Sequence, residues 1–399
     1  MPADTLPEHI RRPHLRRIQP YGVSKDGKTF VGLYDPFQLS TQSMVVVPQA
    51  MQVIQQFRGD LTLDEIAERL KGPVDVLVQL ASKLDEFGLL WGPTYERLEA
   101  EKKQDIAERG AYPMTSSASL GKDADLCRAA IESYFEQTED PELEGTVRAV
   151  VAPHLDYQRG WPNYAAAYYA LRGTPRPDRV VILGTNHFGV GDGAVLTGYG
   201  FDTPLGRVPA DTAVVDDLVA RLGDRVIIDQ IDHVAEHSIQ LQLPWIQHLW
   251  GDVPVVAALV PDPTVPMLED DGERVGFDEF VSALRASLDA AGGHTMFVAS
   301  ADLSHVGPQF GEPRPVDEQR REDVERHDRE MMGRYLDGSV DDFLEGMRWS
   351  KNPTRWCSVG NMAATLHLVQ PEAVELIDYR QAFDEKGMAL VSSAAIVLL

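Results

Sequence analysis

The stretch VVAPHLDYQRG, from Val150 to Gly160, joins an apolar run to a polar end. A short run of Val and Ala that stops at Pro153 is typical of a strand buried on both faces of a sheet. His154 then lies at the carboxyl end of that strand, where open α/β sheets form their binding sites. The stretch therefore predicts an α/β fold with a polar site at one edge of its sheet.

The rest of the chain from about residue 123 repeats this alternation. Apolar runs predict the strands VRAVVAP, DRVVILG, VPVVAALV, HTMFVASA, AVELIDYRQAF and MALVSSAAIVLL, with GAVLTGYGFDT as an edge strand. The intervening segments predict the helices NYAAAYYALRG, TAVVDDLVARLG, SIQLQLPWIQHLW, FDEFVSALRASLDAAG and SVGNMAATLHLVQ, and GVGDG (189–193) predicts a loop. Continuous Val/Ile/Leu strands separated by helices favour a mixed, largely parallel sheet with helices on both faces.

The N-terminal part of the chain has a different pattern, which predicts a separate domain. TFVGLYDP and SMVVVP indicate strands, and three helical segments follow them. One of these begins at Thr62 with Glu65 three residues later, which is the pattern of a capping box. We predict a winged-helix-like α+β domain over 1–100, a polar linker over 101–125 and the α/β domain over 126–399.

Composition limits the classes of partner and compartment. The 399 residues carry a formal charge of −25, which repels both a nucleic-acid backbone and an anionic membrane surface. Two cysteines, Cys127 and Cys357, make a disulfide framework improbable. The N-terminus shows no apolar segment of a signal peptide, and no apolar run is long enough to span a membrane. We therefore expect a cytoplasmic protein that binds neither nucleic acid nor membrane.

Three of the predicted strands each deliver a histidine within a few residues of their carboxyl ends. His154 follows the first strand, His187 follows DRVVILG, and His305 follows HTMFVASA together with Asp302. One such histidine is usually a satisfied core or surface group. Three histidines that each follow the carboxyl end of a strand favour a common site, where the three side chains lie together.

Two further segments carry candidate polar groups. Glu236 and His237 stand where a helix is predicted to begin, and Cys357 stands just before another helix. A helix N-terminus lowers the pKa of a thiol and favours the thiolate, which binds metals; the alternative for Cys357 is an inert buried cysteine. Neutral imidazoles with a thiolate would suit a first-row transition metal with open coordination positions.

Five ordered motifs give the chain a resemblance to a known family. PHLDYQRGWPNYAAAYYAL, VVILGTNHFG, EHSIQLQLPWI, ASADLSHVG and WCSVGNMAA resemble the MEMO family, whose bacterial members are often labelled AmmeMemoRadiSam system protein B. The resemblance covers about residues 145–399. It implies a fold similar to that of the class III extradiol dioxygenases, which are non-haem iron enzymes.

The resemblance also implies a metal pocket built from His154, His187 and Cys357, with Asp302 and His305 alongside. Iron(II) is the expected metal, with copper or zinc as alternatives. Likeness of fold does not by itself establish dioxygenase activity.

The first motif departs from the PHAGY form common in that family. Leu155 and Asp156 replace Ala-Gly. Asp156 would either orient His154 or pair with Arg159, and in both cases the pocket would be more polar than in the common form.

The N-terminal domain more weakly resembles the PqqD-like winged-helix modules that bind precursor peptides. The resembling residues are FRGDLTLDEIAERL and VDVLVQLASKLDEFGLL. A leader peptide would then add as a strand to the edge of the sheet. The alternative is a generic winged helix that serves as an interface or as an oligomerisation element.

Two functions are consistent with this pattern. The first is an iron-dependent oxidoreductase acting on a small or peptide-borne substrate. His305 would be the acid/base, Asp302 would orient it or balance its charge, and His237 would be a polar residue lining the pocket. The second is a non-catalytic metal- or peptide-binding scaffold that uses the same pocket.

Overall fold

The chain folds into two compact units in a computed structural model. The structure describes residues 6–40, 42–189, 193–266 and 272–399, so part of the predicted GVGDG loop lies outside the described residues. The units are Met1–Arg109 and Gly110–Leu399. The predicted mixed α/β class is confirmed. Among the described residues, no helix combines the length and apolar character needed to cross a bilayer.

The first unit combines a small sheet with helices. Its strands, paired antiparallel in the order β1-β2-β3, are β1 (Gln19–Lys25), β2 (Lys28–Tyr34) and β3 (Met44–Val46). Its helices are α1 (Glu8–Arg11), α2 (Ala50–Ile54), α3 (Leu63–Leu70), α4 (Val74–Glu86) and α5 (Pro93–Arg109). The predicted capping box starts α3, where Thr62 N–H donates to Glu65 and Glu65 N–H donates to Thr62 Oγ1.

A buried ion pair lies within the first unit. The Arg16 guanidinium lies 3.3 Å from Asp35 Oδ1, and both side chains are almost fully buried. Arg16 also donates to the Gly88 carbonyl at 2.7 Å and lies over the ring of Tyr95 at 4.2 Å. Asp35 accepts further backbone N–H bonds from Phe37, Leu39 and Ser40. Arg16 and Asp35 thus tie the end of β2 to the segment that leads into α5.

The second unit contains most of the secondary structure. Its strands are β4 (Ala111–Tyr112), β5 (Ala149–Ala152), β6 (Arg179–Gly184), β7 (Val195–Leu196), β8 (Gly200–Thr203), β9 (Gly206–Val208), β10 (Val255–Leu259), β11 (Thr295–Ser300), β12 (Asp302–Val306), β13 (Val374–Phe383) and β14 (Leu390–Leu398). Its helices are α6 (Ala124–Phe135), α7 (Tyr157–Tyr169), α8 (Thr212–Leu222), α9 (His237–Gln240), α10 (Leu243–Trp250), α11 (Phe277–Ala291), α12 (Glu318–Leu336), α13 (Val340–Ser350) and α14 (Val359–Val369).

The main sheet of this unit is parallel at its centre and antiparallel at its margins. Its order is β12-β14-β5-β11-β6-β10-β7, with β13 paired to β14. Strands β5, β11, β6 and β10 run parallel, whereas β14 and β7 run antiparallel to their neighbours. The largely parallel sheet expected from the sequence is therefore present. A smaller sheet pairs β4, β8 and β9.

The central strands are buried on both faces. Every residue of β6 is buried. Val181 and Leu183 belong to one hydrophobic cluster with residues of α8, α11 and α14, such as Leu218, Phe280 and Met362. Alternate residues of a strand point to opposite faces, so helices must also cover the other side. This double cover explains why the strands are continuous apolar runs.

Several elements differ from the predictions. The predicted edge strand GAVLTGYGFDT forms two strands, β7 and β8, that lie in different sheets. The predicted helix SIQLQLPWIQHLW divides into α9 and α10, with Pro244 in the first turn of α10. DLSHV forms strand β12. The stretch predicted as a linker carries the end of α5, strand β4, a 3-10 helix at Ser116–Leu120 and the start of α6.

Candidate metal centre

The carboxyl ends of three neighbouring parallel strands meet at one edge of the main sheet. β11 pairs with β5 on one side and with β6 on the other. His154 follows the end of β5, His187 follows the end of β6, and Asp302 follows the end of β11. The topology therefore brings these predicted residues together, because parallel neighbours end on the same edge.

His154 is almost fully buried, and its ring has a fixed orientation. Its Nδ1 lies 3.1 Å from the carbonyl oxygen of Ser300. A carbonyl only accepts hydrogen bonds, so Nδ1 carries the proton and Nε2 presents its lone pair. Burial, followed by the charge of His187, lowers the pKa of His154 well below its usual value, which keeps the ring neutral.

His187 is held by the carboxylate of Glu236. The backbone N–H of His187 donates to Glu236 Oε2 at 2.8 Å, and its Nδ1 lies 3.1 Å from Oε1. Burial lowers the pKa of His187, but Glu236 and a hydrogen bond to Cys357 outweigh it, so the pKa lies well above its usual value. Since Nδ1 is engaged with Glu236, Nε2 faces the thiol. A carboxylate on the far nitrogen is the usual support of a metal-binding histidine.

Cys357 stands just before α14, as the sequence predicted. Its Sγ lies 3.3 Å from Nε2 of His154 and 3.2 Å from the hydroxyl of Ser358. The thiol is partly exposed rather than fully buried.

The three side chains offer a donor set that fits a metal ion. One nitrogen from each histidine and the cysteine Sγ all lie within 4.8 Å of one another. Metal–sulfur and metal–nitrogen bonds of about 2.3 and 2.0 Å would separate two ligands by roughly 3.5 Å at a tetrahedral angle. The 3.3 Å between His154 Nε2 and Cys357 Sγ is close to that value. Two imidazoles and a thiolate suit iron, copper or zinc.

Asp302 lies beside this cluster. It is buried, it accepts the backbone N–H of His154 at 2.9 Å, and its other oxygen lies 3.7 Å from His154 Nε2. Burial raises the pKa of Asp302 to about 7, against the opposing effect of that hydrogen bond. Asp302 thus fixes the backbone at His154 and places an acidic oxygen next to the donor nitrogen.

His237 is the second histidine that contacts the Glu236 carboxylate. Its Nδ1 lies 3.3 Å from Glu236 Oε1, and its ring stacks on that of His187 with centroids 4.7 Å apart. His187, Glu236 and His237 also qualify by distance as a metal-binding group. The hydrogen-bonding distances explain the arrangement without a second ion. Burial lowers the pKa of His237 to about 4, so the ring is neutral at pH 7.

His305 lies on β12, and its pKa lies below the usual value for a histidine. Its Nδ1 lies 3.0 Å from the Leu303 carbonyl and 3.2 Å from the Arg355 carbonyl, so Nδ1 carries a proton. Burial and then the charge on His187 lower the pKa of His305 to about 4. At pH 7 this imidazole is therefore suited to accept a proton at Nε2 rather than to donate one.

Asp156 pairs with Arg159 and caps a helix. Its carboxylate accepts the backbone N–H of Arg159 at the start of α7 and lies 2.6 Å from the Arg159 guanidinium. Both side chains are 45% exposed. Of the two roles expected for Asp156, the structure has the pairing with Arg159, whereas Asp302 supplies the carboxylate next to His154.

Two groups that shape the site were not assigned these roles from the sequence. The Ser300 carbonyl sets the tautomer of His154, and Glu236 supports His187. The only sequence signal was that Glu236 adjoins His237 at a predicted helix start. Its distance of 49 residues from His187 gives no local pattern that connects the two.

Comparisons with known proteins agree with the motifs. A family model described as Memo-like protein matches residues 116–397. A MEMO1 family protein of Methanopyrus kandleri is 31% identical over 63% of this chain and 83% of its own length. One of Thermus thermophilus is 27% identical over 84% of this chain and 99% of its own length. A third, of Caldivirga maquilingensis, is 34% identical, and the chain spans 54% of that relative's length.

Proposed function

The chain belongs to the Memo-like protein family, and on that basis we propose that it is a metal-dependent oxidoreductase. His154, His187 and Cys357 would hold a first-row transition-metal ion, with iron(II) first and copper or zinc as alternatives. The observation that carries the proposal is the shared orientation of the histidines. Each engages a protein acceptor through Nδ1, and both present Nε2 towards one thiol.

Iron or copper would supply redox chemistry at positions that the three protein ligands leave open. Zinc has no redox chemistry, so it would fit only the binding alternative. The chain's own residues would do the rest. His305 would accept a proton from the substrate at Nε2, Asp302 would hold the His154 backbone in place, and His237 would line the pocket as a neutral polar group. The substrate class proposed is a small phenolic molecule or a peptide-borne side chain.

Metal content tests the proposal directly. The wild type is purified anaerobically with iron(II), and its metal is compared with that of Cys357→Ser and His154→Ala. Cys127→Ser is the matched control, because Cys127 is buried on α6 and burial raises the pKa of its thiol to about 11. We expect the wild type and the control to retain the metal and the other two to lose it. A wild type without metal, or full retention in His154→Ala, contradicts the proposal.

Oxygen uptake separates catalysis from binding. The iron-loaded protein is mixed with catechols and with tyrosine-containing peptides while dissolved oxygen is recorded. Uptake that depends on substrate and on His305 supports the oxidoreductase. Metal retention with no uptake for any of these compounds favours the alternative, a metal- or peptide-binding scaffold that uses the same pocket.

A second proposal concerns the first unit and a peptide partner. Strand β3 is an edge of the three-stranded sheet, and it carries Val45, which is 52% exposed, with Val47 just beyond its end. An exposed apolar edge strand can take an extended peptide as a further strand. Fluorescence anisotropy with labelled peptides encoded beside this gene tests the proposal. Binding that Val45→Lys weakens supports it, and no binding by the wild type contradicts it.

A further inference from the structure

A buried carboxylate outside the proposed metal ligands collects four hydrogen bonds from neutral groups. Asp328, on α12, is fully buried. Its Oδ1 accepts from Ser304 Oγ at 2.5 Å and from Trp356 Nε1 at 2.7 Å. Its Oδ2 accepts from Ser392 Oγ at 2.5 Å and from Tyr379 OH at 2.8 Å. A buried carboxylate is costly unless such bonds satisfy it, so its position implies a specific structural task.

Two of the four donors adjoin candidate site residues. Trp356 immediately precedes Cys357, and Ser304 immediately precedes His305. Both bind the same oxygen, Oδ1. One atom of Asp328 therefore joins the segment that carries the thiol to the strand that carries His305.

The segment before Cys357 needs such an anchor, because its backbone is irregular. Lys351, Asn352 and Arg355 have positive φ angles of 60°, 45° and 60°, a region that non-glycine residues seldom adopt. The Asn352 side chain accepts from the Trp356 N–H at 2.7 Å and donates to the Trp356 carbonyl at 2.8 Å. Trp356 is thus held at its backbone by Asn352 and at its indole by Asp328.

We propose that Asp328 is a positioning residue that sets the place of the Cys357 thiol through Trp356, and that of β12 through Ser304. This inference rests on the proposed metal function. A carboxylate suits the task because each of its two oxygens accepts a pair of hydrogen bonds. An asparagine offers one acceptor oxygen in place of two, so it cannot hold both pairs of donors in the same way.

Cobalt(II) binding tests the inference in the full-length protein. The variants are Asp328→Asn and Trp356→Phe, and the control is Tyr379→Phe, which removes one hydrogen bond from the other oxygen, Oδ2. We expect the first two to weaken cobalt(II) binding about 10- to 100-fold, as loss of a supporting group does, and to shift the thiolate-to-cobalt absorption band. Tyr379→Phe leaves the affinity and the band unchanged. An equal loss in all three variants would mean a general effect on stability and would overturn the inference.

A second readout needs no metal. The rate at which iodoacetamide alkylates Cys357 in metal-free protein is followed by peptide mass spectrometry. Release of the thiol from its fixed place makes alkylation faster in Asp328→Asn and Trp356→Phe but not in Tyr379→Phe. Wild-type rates in both test variants overturn the inference. If the wild type binds no cobalt, the proposed metal function fails, while the alkylation rates still decide the role of Asp328.

Discussion

The Glu236 carboxylate accepts hydrogen bonds from both the backbone N–H and the ring Nδ1 of His187. Glu236 is fully buried. Burial raises its pKa, but the charge and hydrogen bond of His187 outweigh this and hold the pKa well below its usual range. The carboxylate is therefore ionised, and it fixes both the position and the ring orientation of a proposed metal ligand.

Glu236→Gln should weaken metal binding by about 10- to 100-fold, because a neutral amide supports the histidine less strongly than a carboxylate. Isothermal titration with cobalt(II) measures the affinity. The matched control is Glu132→Gln, which alters another Glu–His pair, the contact of Glu132 with His248 at 2.8 Å on α6 and α10. Unchanged affinity in Glu236→Gln would show that the carboxylate does not support a metal ligand.

Asp156→Ala should lower the free energy of unfolding by about 1 kcal/mol through loss of the helix cap. The exposed ion pair with Arg159 adds at most about 1 kcal/mol. Metal content should not change, since Asp302 rather than Asp156 contacts His154. Asp156→Asn keeps the cap and should retain most of the stability. A metal-deficient but folded Asp156→Ala protein would assign Asp156 to the site after all.

Acid should destabilise the second unit through His233. Burial lowers the pKa of this fully buried histidine to about 4, whereas an unfolded histidine titrates near 6.5. Between these values the unfolded chain binds the extra proton, so stability falls as pH drops from about 6.5 to about 4 and the loss is complete below that.

His233→Gln isolates this effect. The Nε2 of His233 donates to the Val195 carbonyl, and a glutamine amide can make the same bond. As pH falls over that range, the free energy of unfolding should decrease by about 3 kcal/mol less in the variant than in the wild type. Hydrogen exchange of β6 peptides in urea, corrected for the intrinsic effect of pH, measures the difference. Parallel pH curves for the two proteins would contradict the assignment.

Arg16→Leu should destabilise the first unit by about 3–5 kcal/mol, because it leaves the Asp35 carboxylate buried without its cation. Arg16→Lys should also be less stable than the wild type, although it keeps the charge, since an ammonium cannot reproduce the guanidinium contacts with Gly88 and Tyr95. Hydrogen exchange of α4 peptides reports the change. Arg17→Leu removes the same charge from an exposed side chain and should cost much less; equal losses would show that burial of the pair is not the cause.

The sequence was sufficient to predict that His154 and His187 lie at one edge of the sheet, because both follow strand ends. His154 and His187 follow continuous apolar runs, and parallel strands of one sheet end at one edge. It was not sufficient to identify their supports. The Ser300 carbonyl and Glu236 act across 146 and 49 residues, and such contacts depend on which strands become neighbours.

Strand β12 was missed for a related reason. Its buried residues include Asp302 and Ser304, which are polar. Ser304 is satisfied by Asp328 and by the hydroxyl of Ser392, both distant in sequence. Helix α12 was missed because its few apolar positions are scattered among charged residues, so its helical period is weak. Both elements bury polar side chains that are satisfied by hydrogen bonds to residues distant in sequence, such as Ser304 and Asp328. Neither element therefore shows the apolar pattern on which local prediction depends.

The place of β14 in the sheet sets the order in which the centre can be assembled. β14 follows every other strand of the sheet along the chain, yet it lies between β5 and β12. Until β14 pairs with them, β5 has an open edge and β12 lacks its partner strand. The positions of His154 and His305 relative to each other are therefore not fixed before that step. Such long-range pairing is slow. The cluster of side chains at this edge of the sheet is therefore completed late in folding.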